Sequence, residues 1–174
     1  MNSRILIPNI FRAIGLVLLQ VLVLNKINLH GWINPYVYPL FILLLPFRIP
    51  HWVLLLFAFG MGLTIELFTY NYGIHAAACV LMAFIRPAII AMFSSHNQFE
   101  HVISPNLKFL GFRFFISYIS IAIFIHHFVL FFIDSIGGFH LLEFIIRVLM
   151  SSLFSVILIL LVEYLFMSGE EHKS

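Results

Sequence analysis

The chain has 174 residues, 63% of them hydrophobic and only 9% charged, and its mean hydropathy is +1.10. A soluble domain carries about 25% charged residues, so a water-facing globule is excluded and a bilayer is the natural solvent. The net charge of +2 is too small to suggest nucleic acid, and the lone Cys79 offers neither a disulfide framework nor a thiolate metal site.

About 20 apolar residues cross the roughly 30 Å hydrocarbon layer. The first such stretch runs from Ile5 to Leu24. It has no small-x-small cleavage pattern and is interrupted by Arg12, so it reads as a retained span rather than a signal peptide. The second, Pro35 to Pro46, is about twelve residues, or roughly 18 Å as a helix. It crosses only where the bilayer thins or where flanking residues extend it; otherwise it re-enters. Span three runs from His51 to Phe68 and, after the turn "TYNYG", span four from Ile74 to Phe93. A polar connection over 94–110 leads to span five, Gly111 to Ile133, and "DSIGGFH" to span six, Leu141 to Phe166. No connection is long enough to house a catalytic domain. Residues 1–174 therefore read as a single integral membrane helical bundle, all-α and polytopic, with about six transmembrane helices of which the second is short.

The lysines and arginines give an orientation. With six crossings and the N-terminus in the cytoplasm, Arg4, Arg48, Lys108, Arg113 and Lys173 lie inside, and Arg12 lies near the inner face. The outside receives Lys26 and, just within the membrane, Arg147. That asymmetry satisfies the positive-inside rule with both termini cytoplasmic. With five crossings it would largely reverse.

The stretch "QVLVLNKINLHGWINPYVYPLFILLLPF" from Gln20, then "GLTIELF" and "GIHAAACVLMAFIRP", resembles the bacterial rod shape-determining MreD family. "HH" at His126 and His127 and "RVLMSS" from Arg147 resemble its later motifs, so the likeness runs in order along nearly the whole chain. Two departures stand out: the family often carries Asp where this chain has Glu66, and the 94–110 connection resembles none of its motifs, so no role is carried over to it. The resemblance implies a multi-pass component of the bacterial inner (cytoplasmic) membrane that serves the cell-elongation machinery. Its implied partners are the transmembrane helix of MreC, the filament MreB, and the wall enzymes RodA and a class B penicillin-binding transpeptidase. It also implies a fold like the S component of ECF vitamin transporters.

Ionisable groups within spans cost roughly 2.5–3.5 kcal/mol at the bilayer centre and usually find partners inside a bundle. Glu66 lies near the outer end of span three, and Arg147, His126 and His127 are its candidate partners; snorkelling to the interface or contact with a partner protein are the alternatives. Arg147 also has Glu143 four residues before it on the same helix. Arg86 lies too deep to reach Glu66. It precedes Pro87, whose missing N–H frees a carbonyl for the guanidinium to satisfy; snorkelling to inner-leaflet phosphates or facing a partner are its other roles. His126 and His127 point about 100° apart on a helix, and no spacing supplies further ligands, so neither a metal nor a cofactor is expected. Small residues four apart (Ala58 and Gly62, Cys79 and Ala83, Ser151 and Ser155) predict close helix packing or a partner's docking face. No nucleophile–base pair, phosphate loop or facing acids appear, so no catalytic residue is assigned. The leading expectation is a non-enzymatic scaffold. The alternative is a solute-binding subunit whose outer cavity Glu66, Asn71, His75 and Arg147 would line.

Overall fold

The structure, a computed structural model, describes residues 3–27, 33–69, 73–93 and 105–171. Its helices are α1 (Ser3–Leu22), α2 (Pro39–Leu43), α3 (His51–Thr69), α4 (Ile74–Phe93), α5 (Leu107–Leu110), α6 (Phe112–Asp134) and α7 (Leu141–Glu171). Short 3-10 turns follow α1 and α6, over Leu24–Lys26 and Ser135–Gly137. Five stretches are long and apolar enough to cross a membrane: Ile7–Lys26, His51–Thr69, Ile74–Phe93, Phe112–Gly137 and Leu141–Phe166. That is the pattern of a multi-pass membrane protein.

The short second segment departs from a helix. Residues 34–37 have no helical structure, α2 lasts five residues, and the chain is irregular again from 44 to 50. Proline is the cause. Pro39 occupies the first turn of α2, where its missing N–H is not needed. Pro46 disfavours helical dihedrals at Leu45, so the helix stops at Leu43 instead of running on. This broken segment is nonetheless the most enclosed stretch among the described residues, with Pro35 and every residue from Val37 to Leu45 buried. The long helices wrap around it.

α3, α4, α6 and α7 pack as successive neighbours, while α1 leans on α2 and α3. The α3–α4 pair is antiparallel: Glu66 near the end of α3 meets Ala76 in the first turn of α4, and the ring of His51 at the start of α3 meets Phe84. α3 buries Leu54, Ala58, Met61, Gly62 and Ile65, spaced three or four apart as one face of a helix requires. The opposite faces carry exposed apolar side chains, among them Trp52, Leu56 and Leu67 on α3 and Phe124, Phe128 and Phe132 on α6. Such an exterior is costly in water and ordinary in lipid. The connection before α6 holds α5, whose first turn is capped by Asn106 Oδ1 accepting from the Phe109 N–H at 3.0 Å. Gly111, at φ +75°, makes the left-handed break that separates α5 from α6.

Candidate functional site

A chain that leaves helical geometry at membrane depth must find partners for its backbone, because hydrocarbon supplies none. In this protein the partners are side chains of the surrounding helices. At the first end of the broken segment, the Ser151 hydroxyl accepts from the Asn34 N–H at 3.0 Å and the Ser155 hydroxyl accepts from the Tyr36 N–H at 2.8 Å. From α1, Gln20 uses both halves of its amide: Oε1 accepts from the Val37 N–H at 2.9 Å and Nε2 donates to the Pro35 carbonyl at 3.1 Å. An extended backbone is thus clamped on both sides in place of a neighbouring strand.

At the other end stands Arg86, only 2% exposed. Its Nε donates to the Tyr118 hydroxyl at 2.8 Å, and its Nη2 donates to the carbonyls of Leu43 (3.3 Å) and Leu45. Tyr118 in turn donates to the Leu43 carbonyl at 3.0 Å. These carbonyls close the C-terminal end of α2, where orphan acceptors and the negative end of the helix dipole both favour a cation. The ring of Phe47 lies 5.6 Å from the guanidinium carbon. The expectation that Arg86 serves the carbonyl freed by Pro87, or snorkels, is therefore corrected. The fork reaches across to a different segment that needs it more, since the two carbonyls of Leu43 and Leu45 at a broken helix end outrank one.

Between these two ends lies an aromatic cluster. The Tyr38 hydroxyl sits 2.8 Å from His75 Nδ1 and 2.9 Å from His126 Nε2, with Cys79 Sγ 3.9 Å from the same His126 nitrogen. One hydroxyl proton cannot serve both rings, so one imidazole must donate. His126 Nδ1 is buried without a partner. An orphan lone pair is more readily tolerated than an orphan N–H, which assigns the His126 proton to Nε2 and directs Tyr38 to donate to His75. His127 is fixed independently. The Ile123 carbonyl, 2.9 Å from its Nδ1, can only accept, so Nδ1 carries the proton and Nε2 accepts from Ser155 at 3.1 Å. Ser155 thereby relays between the Tyr36 backbone and His127.

Glu66 is not part of this cluster, and the expected contacts with Arg147, His126 or His127 are not formed. Its Oε1 accepts from the Ala76 N–H at 2.9 Å, capping the first turn of α4, where the dipole favours an anion. The local sequence explains why. Gly62, four residues earlier on the same face of α3, lies so close to α4 that a Cβ there would sit 2.6 Å from the Ala76 nitrogen. The approach that glycine permits brings the carboxylate within reach. Arg147 instead pairs with Asp134 at 3.1 Å, rather than with Glu66 or Glu143, and lies over the Phe131 ring at 4.6 Å. Asp134 ends α6, so this pair ties the α6–α7 turn.

The small residues divide by use. Ala58, Gly62 and Ala83 are buried in packing, Cys79 is buried against His126, and Ser151 and Ser155 are buried as hydrogen-bonding groups. Gln20, Tyr38 and Tyr118 were missed by sequence reading. Their signal is a polar tip in an otherwise apolar run, which is common in membrane helices and so carries little weight alone. Glu163, also missed, is 4% exposed and faces the Leu107 N–H at 3.5 Å. Asn71 lies outside the described residues. Among the described residues, no group of three His, Cys, Asp or Glu side chains converges on a metal position. Compared with protein-family models, curated proteins and solved structures, the chain matches none.

Proposed function

We propose that this protein is a non-enzymatic membrane scaffold of the MreD type. It would reside in the bacterial cytoplasmic membrane, gather the transmembrane helix of MreC, and couple MreB filaments to peptidoglycan synthesis by RodA and its class B transpeptidase. The observation that carries the scaffold reading is the destination of the polar groups. Gln20, Tyr38, Arg86, Tyr118, Ser151 and Ser155 are spent on the backbone of the broken segment or on side chains against it. The outward faces of the long helices carry large apolar side chains, which suits partners that meet it within the bilayer. The family name rests on the ordered motif series from Gln20 to Ser152.

In this reading the broken segment makes the second of six passes, and both termini are cytoplasmic. Support comes from its neighbours along the way: Tyr38 meets His75 in the first turn of α4, and Leu45 meets Arg86, eleven residues further on. That distance is roughly 16 Å along a helix, and the segment continues past it to α3. The positive-inside pattern agrees.

A second reading, a solute-binding subunit resembling an S component, is favoured by one feature. A cavity of about 400 Å3 lies at the end of the bundle near the C-terminus of α3, lined by Asn25, Asn34, Tyr36 and Thr69 among others. Its size falls within the range of small-molecule sites. Glu66 and Arg147, expected to line such a site, are already paired elsewhere. Purification of the tagged chain from native membranes in mild detergent, followed by mass spectrometry, separates the two. Co-purification of MreC and wall-synthesis enzymes is the expected result. Recovery of transporter ATPases with a retained small molecule would sink the scaffold reading.

A further inference from the structure

The elbow between α5 and α6 has two faces. Leu107, Leu110 and Phe114 turn inward and pack on the core. Between them Lys108, Phe109, Phe112 and Arg113 are exposed, the two rings at 65% and 60%. Inward positions recur every three or four residues, so one amphipathic pattern runs through the break at Gly111. The elbow is held from within. Asn106 caps α5, and Glu163 of α7 faces the Leu107 N–H at 3.5 Å.

Two markers fix its depth. The apolar stretch of α6 begins at Phe112, and that of α7 ends at Phe166, three residues beyond Glu163. The elbow therefore follows the boundary where both stretches end, instead of projecting into water. In the six-pass reading this is the cytoplasmic side.

The exposed stripe reads cation, aromatic, aromatic, cation. At a membrane boundary aromatic rings favour the headgroup level, and lysine and arginine favour anionic lipid. Neither Lys108 nor Arg113 has a side-chain partner among the described residues, whereas Arg86 and Arg147 are engaged within the bundle. A soluble acidic partner would meet the two cations and leave two phenyl rings standing between them. A leaflet of anionic lipid satisfies both kinds of side chain.

We propose that the α5–α6 elbow is an interfacial anchor that binds anionic phospholipid. Phe109 and Phe112 enter the acyl boundary, and Lys108 and Arg113 hold phosphates of the same leaflet. Each cation adds about a fivefold preference for an anionic over a zwitterionic lipid. The anchor does not depend on which partner proteins the bundle gathers.

Two measurements on the purified full chain test this. The first places a nitroxide on Phe109→Cys or Phe112→Cys in nanodiscs of phosphatidylglycerol, with the buried Cys79 left in place. The label should meet dissolved oxygen more readily than a water-soluble nickel chelate. The second is native mass spectrometry with phosphatidylglycerol and phosphatidylcholine of identical acyl chains. The intact protein should prefer phosphatidylglycerol, and Lys108→Gln and Arg113→Gln should each lower that preference about fivefold. All four positions are exposed, so these changes leave the core untouched. A label that meets the chelate first, equal retention of the two lipids, or a preference that either charge change leaves intact overturns the proposal. So does soluble polyglutamate displacing phosphatidylglycerol from the intact chain, which would assign the stripe to an acidic protein.

Discussion

Two regions of this bundle solve the problem of close approach in opposite ways. The α3–α4 pair comes together by removing a side chain: Gly62 presents bare backbone to Ala76, and dispersion does the rest. The broken segment over 34–45 comes together by supplying side chains, one after another, to a backbone that cannot satisfy itself. The first kind of contact tolerates no added atom. The second tolerates no lost one. Regular helices can therefore be joined in lipid with almost no polar chemistry, while a single irregular stretch recruits six of the ten buried polar or charged side chains among the described residues: Gln20, His75, Arg86, His126, Ser151 and Ser155.

The largest effect should come from Arg86→Leu. It strands the Leu45 carbonyl in a buried site, at about 1–3 kcal/mol, and takes one partner each from the Leu43 carbonyl and the Tyr118 hydroxyl, which keep only their bond to each other. A loss of about 2 kcal/mol or more in reversible unfolding from bicelles is expected. Arg86→Lys, which keeps the charge but not the fork, should lie between. A loss under about 1 kcal/mol would mean that the end of α2 finds other donors.

Next is Gly62→Ala. The new methyl must push α4 away, costing about 2 kcal/mol as overpacking does, and loosening the Glu66 cap as well. Gly60→Ala, two residues away and with nothing nearby, should instead stabilise the helix by up to about 1 kcal/mol. Opposite signs at these two glycines are the sharpest check on the packing of α3. Equal signs would refute it.

Tyr38→Phe leaves the two imidazoles of His75 and His126 without the hydroxyl between them and should cost about 1–2 kcal/mol. Smallest is Ser155→Ala. Double-mutant cycles with His127→Ala should give a coupling of about 0.6 kcal/mol, the average for hydrogen bonds between membrane helices. If the two losses are purely additive, the relay from the Tyr36 backbone through Ser155 to His127 does not operate.

The long helices were legible because uninterrupted apolar runs admit one solution in lipid. The second segment was legible only as an anomaly. Its length and three prolines, Pro35, Pro39 and Pro46, marked it as unfit for a full helix, but nothing in its own residues says what would hold it. The partners come from α1, α4, α6 and α7, at separations of 15 to 119 residues, and no local pattern encodes such pairings. Arg86 was correctly separated from Glu66 by depth along the helices. The sequence offers it Pro87, the inner-leaflet phosphates or a partner, because neighbours in the chain are visible there and neighbours in space are not. Within the bundle it offers Glu66 only cations for a similar reason: side-chain charges are visible in a sequence and the dipole at a neighbouring helix end is not.

The clamp on Asn34 and Tyr36 also sets an order of assembly. Their N–H groups are met by Ser151 and Ser155, residues that a ribosome adds 117 and 119 positions later. At about 5–20 residues per second that interval is roughly 6–23 s, far longer than a helix takes to form. Throughout it the segment lacks two of its donors' partners and is cheaper to keep beside water than in lipid. Its final seating is therefore a late, post-insertion event that waits for α7. A chain halted at residue 140 should leave a cysteine placed at Asn34 open to a membrane-impermeant maleimide, and the full chain should protect it.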